Sequence, residues 1–397
     1  MFTFIRSRQI SPKAEARKSQ LSPSIVLAQA VQKVSANRAD TGRLLCFYPD
    51  VTSNPFQRLL YKSSKDFGYL PIATQSIDGL VVTLDKEQGA AAQVDLHLHW
   101  VHTLFSGAKD EAEASDHAQD FCEKIQQLKS LGCRIIWTVH NSVSHQKRFL
   151  EAEITLRKRL GEIVDIIHIM NPGTVQLCVE YYPLNPDKCR VIPHPNYASI
   201  YPNTVNRSTS RAALDLSNAD QVLLFFGSIA PYKGVKSLVR AHQDLLNTHP
   251  NLKLVIAGRT RDLAYLDEIR RATARVNILF HDQRIPDDRV QHYFNSADLV
   301  VCPYDHALNS GVAMTAVTFG KPLIVPESLY PTFAENPAVT PFAPDDDASL
   351  KNVIADVLHS SGDIAPATNW LQKRNAEVIS SQFFEMLCDA PLLKGSF

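Results

Sequence analysis

A lysine bracketed by glycines is the strongest chemical signal in this chain. Residues 225–238, FFGSIAPYKGVKSL, read as the end of a buried strand, a short turn with a glycine at each end, and the start of a helix. The apolar run 223–226 is the strand, and Val235, Leu238 and Val239 begin a helical apolar face. Gly227 lets the chain leave the strand sharply, Ser228 follows it, and Gly234 keeps the helix start free of side chain. Lys233 stands at the helix entrance. Unpaired N–H groups and a partial positive charge make a helix N-terminus a resting place for an anion, and an adjacent ammonium makes phosphate the natural guest. The same residues also fit an ordinary strand–turn–helix junction with a solvated lysine.

The second such stretch is VVCPYDHALNSGVAMTAVTFGKPLIVP, residues 300–326. A strand ends at Cys302, a polar loop follows, and a helix starts near Asn309 and ends before Gly320. Asn309 or Ser310 would cap that helix, and Gly311 leaves its backbone open to a ligand. Together with Lys233, this second helix N-terminus would hold a diphosphate from two sides. Neither stretch is a P-loop, because the lysine precedes its glycine, and no G-x-G-x-x-G follows the first strand.

Histidines supply the other candidate chemistry. IIWTVHNSVSH, residues 135–145, puts His140 at the end of a strand and His145 at the start of a helix. A histidine at a strand's C-terminal end could move a proton or hydrogen-bond a sugar hydroxyl. In VDLHLHW, residues 94–100, alternation sets His97 and His99 on one face and Leu96 and Leu98 on the other. Lining of a cleft, or for any single one a satisfied structural role, is expected for these histidines rather than zinc binding, since no carboxylate or cysteine falls into a ligand pattern. Residues 191–203 carry three prolines and read as a rigid hinge exposing His194 and Asn196. Arg58 and Lys62 lie one helical turn apart and would meet water or an anionic acceptor.

Elements that would position these residues alternate along the chain. Strands are expected at 44–48, 70–73, 80–84, 94–99, 134–139, 164–169 and 190–192, with helices at 111–131, 146–160 and 174–182. A polar break at 203–220 precedes a second series of strands at 222–226, 252–257, 276–280, 299–302 and 322–325. Short strands alternating with helices mean parallel sheets, so the fold class is α/β, two doubly wound Rossmann-like domains facing across a cleft. Ligands collect beyond the C-terminal ends of such strands, where both glycine-bearing turns and His140 fall.

Bulk composition agrees with two domains in 397 residues. Lys+Arg and Asp+Glu are equal at 41 each, which gives no electrostatic case for nucleic acid. Seven scattered cysteines without a CxxC pair suit reduced thiols and a cytoplasmic location. Residues 1–40 are basic, with Arg6, Arg8, Lys13, Arg17, Lys18, Lys33 and Arg38 facing only Glu15 and Asp40. Such an extension is solvated, in peripheral contact with the anionic inner face of a membrane, or, third, a targeting peptide.

From about residue 44 onward the chain resembles the GT-B nucleotide-sugar glycosyltransferases of the family-four (glycosyl transferases group 1) type. Gly227, Lys233 and Gly234 match that family's strand–Gly-x-x-x-x-x-Lys-Gly–helix turn, which binds the donor diphosphate. Residues 303–322 match its second donor loop and the helix ending in Gly-x-Pro, while TVHN (138–141) and IPH (192–194) look like its acceptor-side histidine turn and the end of its N-terminal domain. The LNSG variant at 308–311 is similar to a bacterial exopolysaccharide subgroup.

The resemblance implies a metal-independent hexosyltransferase whose donor is a nucleoside diphosphate sugar of UDP or GDP type, with no further cofactor, and whose acceptor is an oligosaccharide or a lipid-linked saccharide. Beyond the basic extension at 1–40, it implies an acceptor-side domain at 41–203 completed by a C-terminal helix at 368–390, and a nucleotide-sugar domain at 204–367. Donor contacts fall on Gly227, Ser228, Lys233, Gly234, Asn309, Ser310, Gly311 and Thr315, and catalytic roles on His140, Lys233 and Asp305. The chain departs from the family in carrying Ser228 where an arginine is usual, and Ala307 and Thr315 where two glutamates are usual. Asp305, His306 or Asn309 would replace the first glutamate, and Thr315 would meet the ribose. These departures keep two other readings open: a sugar-nucleotide epimerase or hydrolase on the same architecture, and a non-catalytic partner subunit.

Overall fold

Two runs of short apolar strands build two parallel sheets. The computed structural model describes residues 42–74, 76–86, 93–260, 262–360 and 367–389, so the basic stretch 1–40 lies outside the described residues. The first sheet holds β1 (Arg43–Tyr48), β2 (Tyr69–Ala73), β3 (Gln93–Leu98), β4 (Arg134–Thr138), β5 (Ile166–Ile169) and β6 (Cys189–Val191), in the order β2-β1-β3-β4-β5-β6. The second holds β7 (Gln221–Phe226), β8 (Leu252–Gly258), β9 (Ile278–Asp282), β10 (Leu299–Val301), β11 (Leu323–Pro326) and β12 (Val339–Phe342), in the order β12-β11-β10-β7-β8-β9. Every pairing is parallel. Strand order reverses between β1 and β3 in the first sheet and between β7 and β10 in the second. Loops diverge at such a point and leave a crevice, and the turn at 227–234 and the loop at 303–310 flank the second one.

Where expectation and structure differ, packing explains it. Residues 80–84 are not a strand but part of the helix Ile77–Lys86. Ile77, Leu80 and Val81 are buried at helical spacing, and this periodicity outweighs the local β-branched run. Pro341 disguised β12, a strand that tolerates it by lying at the sheet edge. The helix after His140 begins only at Leu150 and runs to Ile163, leaving His145 in a turn, and the helix from Thr174 stops at Cys178. The polar stretch 203–220 is built rather than slack. It contains the helix Arg207–Ala212, capped by Asn206, and Arg211 is fully buried with its guanidinium on the carbonyls of Ser217, Asn218, Asp220 and Ser296.

The C-terminal helix Ala376–Asp389 returns to the first sheet, where Ile379, Phe383, Phe384 and Leu387 pack with Leu45, Ile136 and Ile166. A buried ion pair pins it. Arg134 on β4 donates from Nε and Nη2 to both carboxylate oxygens of Asp95 on β3, at 3.0 and 2.7 Å, and from Nη1 to the carbonyl of Leu387 at 2.8 Å. Burial raises the Asp95 carboxyl pKa while Arg134 pulls it down. Asp95→Ala strands the guanidinium without its partner, and we expect a loss of about 3–5 kcal/mol in urea unfolding, with amide exchange rising first in the C-terminal helix.

All seven cysteines are free, five of them buried. Among the described residues no helix is long and apolar enough to cross a membrane.

Candidate donor and acceptor site

The β7 turn is shaped by what lies against it. Gly227 has φ +105°, and a Cβ there would stand 2.9 Å from Cγ2 of Val312. Residues Pro231–Lys233 form a single 3-10 turn, and Gly234, at φ +65°, starts the helix Val235–Leu245. A Cβ on Gly234 would fall 1.7 Å from the carbonyl oxygen of Pro303. Close approach of the β10 loop, more than an unobstructed helix start, therefore requires this glycine.

Lys233 is half-buried. Its Nζ lies 3.6 Å from the centre of the Tyr304 ring and 5.1 Å from that of Tyr232. No carboxylate pairs with it among the described residues, and burial lowers its pKa to about 8. The Tyr304 hydroxyl in turn lies 3.3 Å from Oγ of Ser310. Ser310 caps the helix Gly311–Thr318, its Oγ accepting from the Ala313 N–H at 3.2 Å. The first-turn N–H groups of Gly311 and Val312 have no backbone partner among the described residues. A cation without a counter-ion thus neighbours an open helix N-terminus at the crevice between β7 and β10, an arrangement ready for an anion.

The other candidates separate into those that join this site and those that do not. Asn309 reaches across to the first lobe, where its Nδ2 donates to the carbonyl of His140 at 3.1 Å, and its Oδ1 is buried without a partner among the described residues. Thr315 is buried and spends its hydroxyl proton on the carbonyl of Gly311 at 2.8 Å, so only its acceptor capacity is left. Ser228 is exposed at the turn, and Gly311 lies beneath the hydroxyl of Tyr197. Asp305 is exposed and is not joined to His140; it lines a small separate cavity with Ser237, Arg240 and Asp346. Ala307 is buried, its N–H on Oγ of Ser328, and His306 is exposed.

His140 is buried at the lobe boundary, stacked on Trp100 with ring centres 4.1 Å apart. Burial holds its imidazole well below the usual histidine range. His97 and His99 do not line the cleft as expected; both are fully buried, with their nitrogens engaged by Tyr61, Thr138 and His140. His194 and Asn196 are buried too, because the segment after β6 is clasped by the C-terminal tail. Asn196 bonds to the carbonyls of Leu371 and Arg374, and Nδ1 of His194 donates to the carbonyl of Pro195. Lys62 is paired with Glu377 rather than facing an acceptor.

Sequence reasoning missed the residues that join the lobes. Leu308 inserts into the apolar core of the first lobe, and Asn171 donates to the carbonyls of Leu308 and Ser328 at 3.1 and 2.9 Å. His145 stacks on Tyr232, with ring centres 3.9 Å apart and planes 6° apart. The apolar Leu308 in a polar loop was a readable signal; the His145–Tyr232 pair, distant in sequence, was not.

Solved structures share this architecture. Over 87% of this chain and 98% of the other, the fold superposes on sucrose-phosphate synthase from Thermosynechococcus elongatus with TM-score 0.66 and 14% identity. Anabaena Alr3699/HepE, solved in complex with UDP-glucose, superposes with TM-score 0.61 and 14% identity over 87% of this chain and 99% of that one. The fold is thus GT-B, two Rossmann-like lobes of six parallel strands each.

Sequence relatives point the same way. Residues 206–372 match the family described as "Glycosyl transferases group 1", and the chain is a nucleotide-sugar-dependent glycosyltransferase. It is 25% identical over 284 residues, 70% of this chain and 72% of the other, to GDP-mannose:glycolipid 4-beta-D-mannosyltransferase of Xanthomonas campestris pv. campestris. To D-inositol 3-phosphate glycosyltransferase of Corynebacterium diphtheriae it is 28% identical over 183 residues, 44% of this chain and 43% of that protein.

Proposed function

We propose that the protein transfers a hexose from a GDP- or UDP-sugar to a hydroxyl of a lipid-linked saccharide, with Lys233 and the N-terminus of the helix Gly311–Thr318 holding the diphosphate. The observation that carries this reading is the desolvated amine of Lys233, without a carboxylate and set against an open helix end at the strand-order reversal. As the glycosidic bond breaks, negative charge grows on the leaving diphosphate. Preorganised positive charge in a poorly solvated crevice stabilises that growth more than it stabilises the ground state. This charge comes from the chain itself, so no metal is needed for it. The Xanthomonas mannosyltransferase, whose name gives GDP-mannose as donor and a glycolipid as acceptor, supports this donor and acceptor class.

His140 would meet a hydroxyl of the sugar or the acceptor, and Asn309, with its unpartnered Oδ1 and its bond to the His140 carbonyl, would couple donor loop to acceptor lobe. Purified protein incubated with UDP-, GDP- and ADP-sugars tests the reading. Release of nucleoside diphosphate is expected only when a saccharide acceptor is present; release without one would mean hydrolysis.

The lowered pKa of Lys233 gives a pH dependence with a definite sign. Below about 8 the amine of the empty protein is charged, and above it the amine is neutral. A bound diphosphate favours the charged form, so binding above that point takes up a proton. Affinity for the nucleoside diphosphate is expected to fall as pH rises through this value, approaching about tenfold per unit. Calorimetry in two buffers of different ionisation enthalpy reads both the affinity and the proton uptake. A flat affinity without proton uptake contradicts the role.

A further inference from the structure

Behind His140 lies an unbroken line of hydrogen bonds that no part of the transfer reaction has yet used. The carbonyl of Ile192 is 3.0 Å from Nε2 of His168, and Nδ1 of His168 is 2.9 Å from Oγ1 of Thr138. Thr138 Oγ1 is 2.6 Å from Nε2 of His97, and Nδ1 of His97 is 2.9 Å from the Tyr61 hydroxyl. That hydroxyl is 2.7 Å from Nε2 of His99, and Nδ1 of His99 is 3.0 Å from Nε2 of His140. All six side chains are buried.

One carbonyl sets the direction of every proton in this line. A carbonyl only accepts, so His168 must carry its proton on Nε2, and in a neutral ring Nδ1 is then an acceptor. Thr138 gives its single proton to that nitrogen and must accept from His97 Nε2–H. His97 Nδ1 is then an acceptor for the Tyr61 hydroxyl, which accepts from His99 Nε2–H. His99 Nδ1 accepts in its turn from His140 Nε2–H. The rings are neutral because burial lowers all four imidazole pKa values, and each such shift is reinforced by neighbouring histidines. No carboxylate hydrogen-bonds any of them among the described residues. The last nitrogen, Nδ1 of His140, has no partner among the described residues.

We propose that Tyr61, His97, His99, Thr138 and His168 are positioning residues, a directional chain anchored on the Ile192 carbonyl that locks His140 in its Nε2–H tautomer and presents Nδ1 as an obligatory hydrogen-bond acceptor. A locked acceptor takes a hydroxyl and turns away a phosphate or carbonyl oxygen, whose lone pairs would oppose its own. It thereby selects a sugar hydroxyl at this end of the cleft. The tautomer assignment stands on the hydrogen bonds of these buried, neutral rings; its use on a sugar hydroxyl rests on the function proposed above.

Long-range proton–nitrogen NMR of the full chain carrying 15N-histidine separates the two, because it requires no turnover. His140→Gln identifies the signal by its loss. In the wild-type protein, His140 is expected as a single tautomer with Nδ1 unprotonated; a protonated Nδ1 overturns the proposal without recourse to any variant. Thr138→Val cuts the line while keeping the shape, and Tyr61→Phe cuts it at a second place. Either cut is expected to release His140 into exchange between tautomers, whereas Thr138→Ser keeps the wild-type signature. A folded Thr138→Val or Tyr61→Phe protein that retains the single tautomer overturns the chain's role. In transfer assays Thr138→Val is expected to raise KM for the saccharide substrate about tenfold, with Thr138→Ser within about twofold of wild type. A released tautomer with unchanged KM overturns the hydroxyl-acceptor role.

Discussion

Lys233→Ala is expected to lower kcat/KM for the nucleotide sugar by about 100- to 1,000-fold, the loss typical when one preorganised charge-stabilising donor is removed. The physical ground is that no carboxylate among the described residues shares this amine and that burial already costs it part of its charge. The amine therefore has more to gain from an incoming anion than a solvated lysine has. Stability should hardly change, because among the described residues the amine rests on the Tyr304 and Tyr232 rings and makes no ion pair. Steady-state kinetics alongside thermal unfolding separates the two effects. An equal loss in binding the intact nucleotide sugar would mean that Lys233 acts on ground state and transition state alike, whereas a larger loss in turnover means it acts on the developing charge.

Gly234→Ala is the second large effect, and it arises from geometry rather than charge. The left-handed backbone costs a side-chain-bearing residue about 1–2 kcal/mol. The new Cβ must also push the carbonyl of Pro303 aside, since it would otherwise sit 1.7 Å away. That movement carries the β10 loop, with Tyr304 and the Ser310 cap, off the Lys233 turn. A displacement of this size at a binding constellation costs about 100-fold in rate or more, and we expect donor turnover to fall by at least that much together with a clear drop in melting temperature. Gly320→Ala serves as the control: it has a similar left-handed φ of +65° but nothing within 4 Å of its added Cβ. It should lose stability but not donor turnover.

Much of the candidate donor site's local structure was legible in the sequence because it is short-range. A strand, a glycine turn and a helix start lie within fourteen residues at 225–238, and short-range periodicity reports them directly. The loop after β10 and its helix start were legible for the same reason, and of the two expected caps, Asn309 and Ser310, it is Ser310 that caps the helix. What was not legible depends on contacts between distant segments. His97 and His99 look like cleft residues because their strand points them to one face, but Tyr61 and Phe383 cover that face. His194 and Asn196 look exposed in a proline-rich segment until the C-terminal tail covers them. The Tyr304 ring under Lys233 follows from the neighbouring positions of β7 and β10, which the strand order sets and the sequence of either stretch alone does not. The missing strand β12 and the mistaken strand at 80–84 are both cases in which position in the sheet, edge or covering helix, overrode residue preference.

The most direct measurement is a crystal structure of the protein with an unhydrolysed GDP- or UDP-sugar bound. The diphosphate should lie against the Gly311–Val312 backbone, with the Lys233 amine drawn off the Tyr304 ring on to a phosphate oxygen. A nucleotide seated elsewhere, with that amine still resting on the aromatic face, would contradict the assignment.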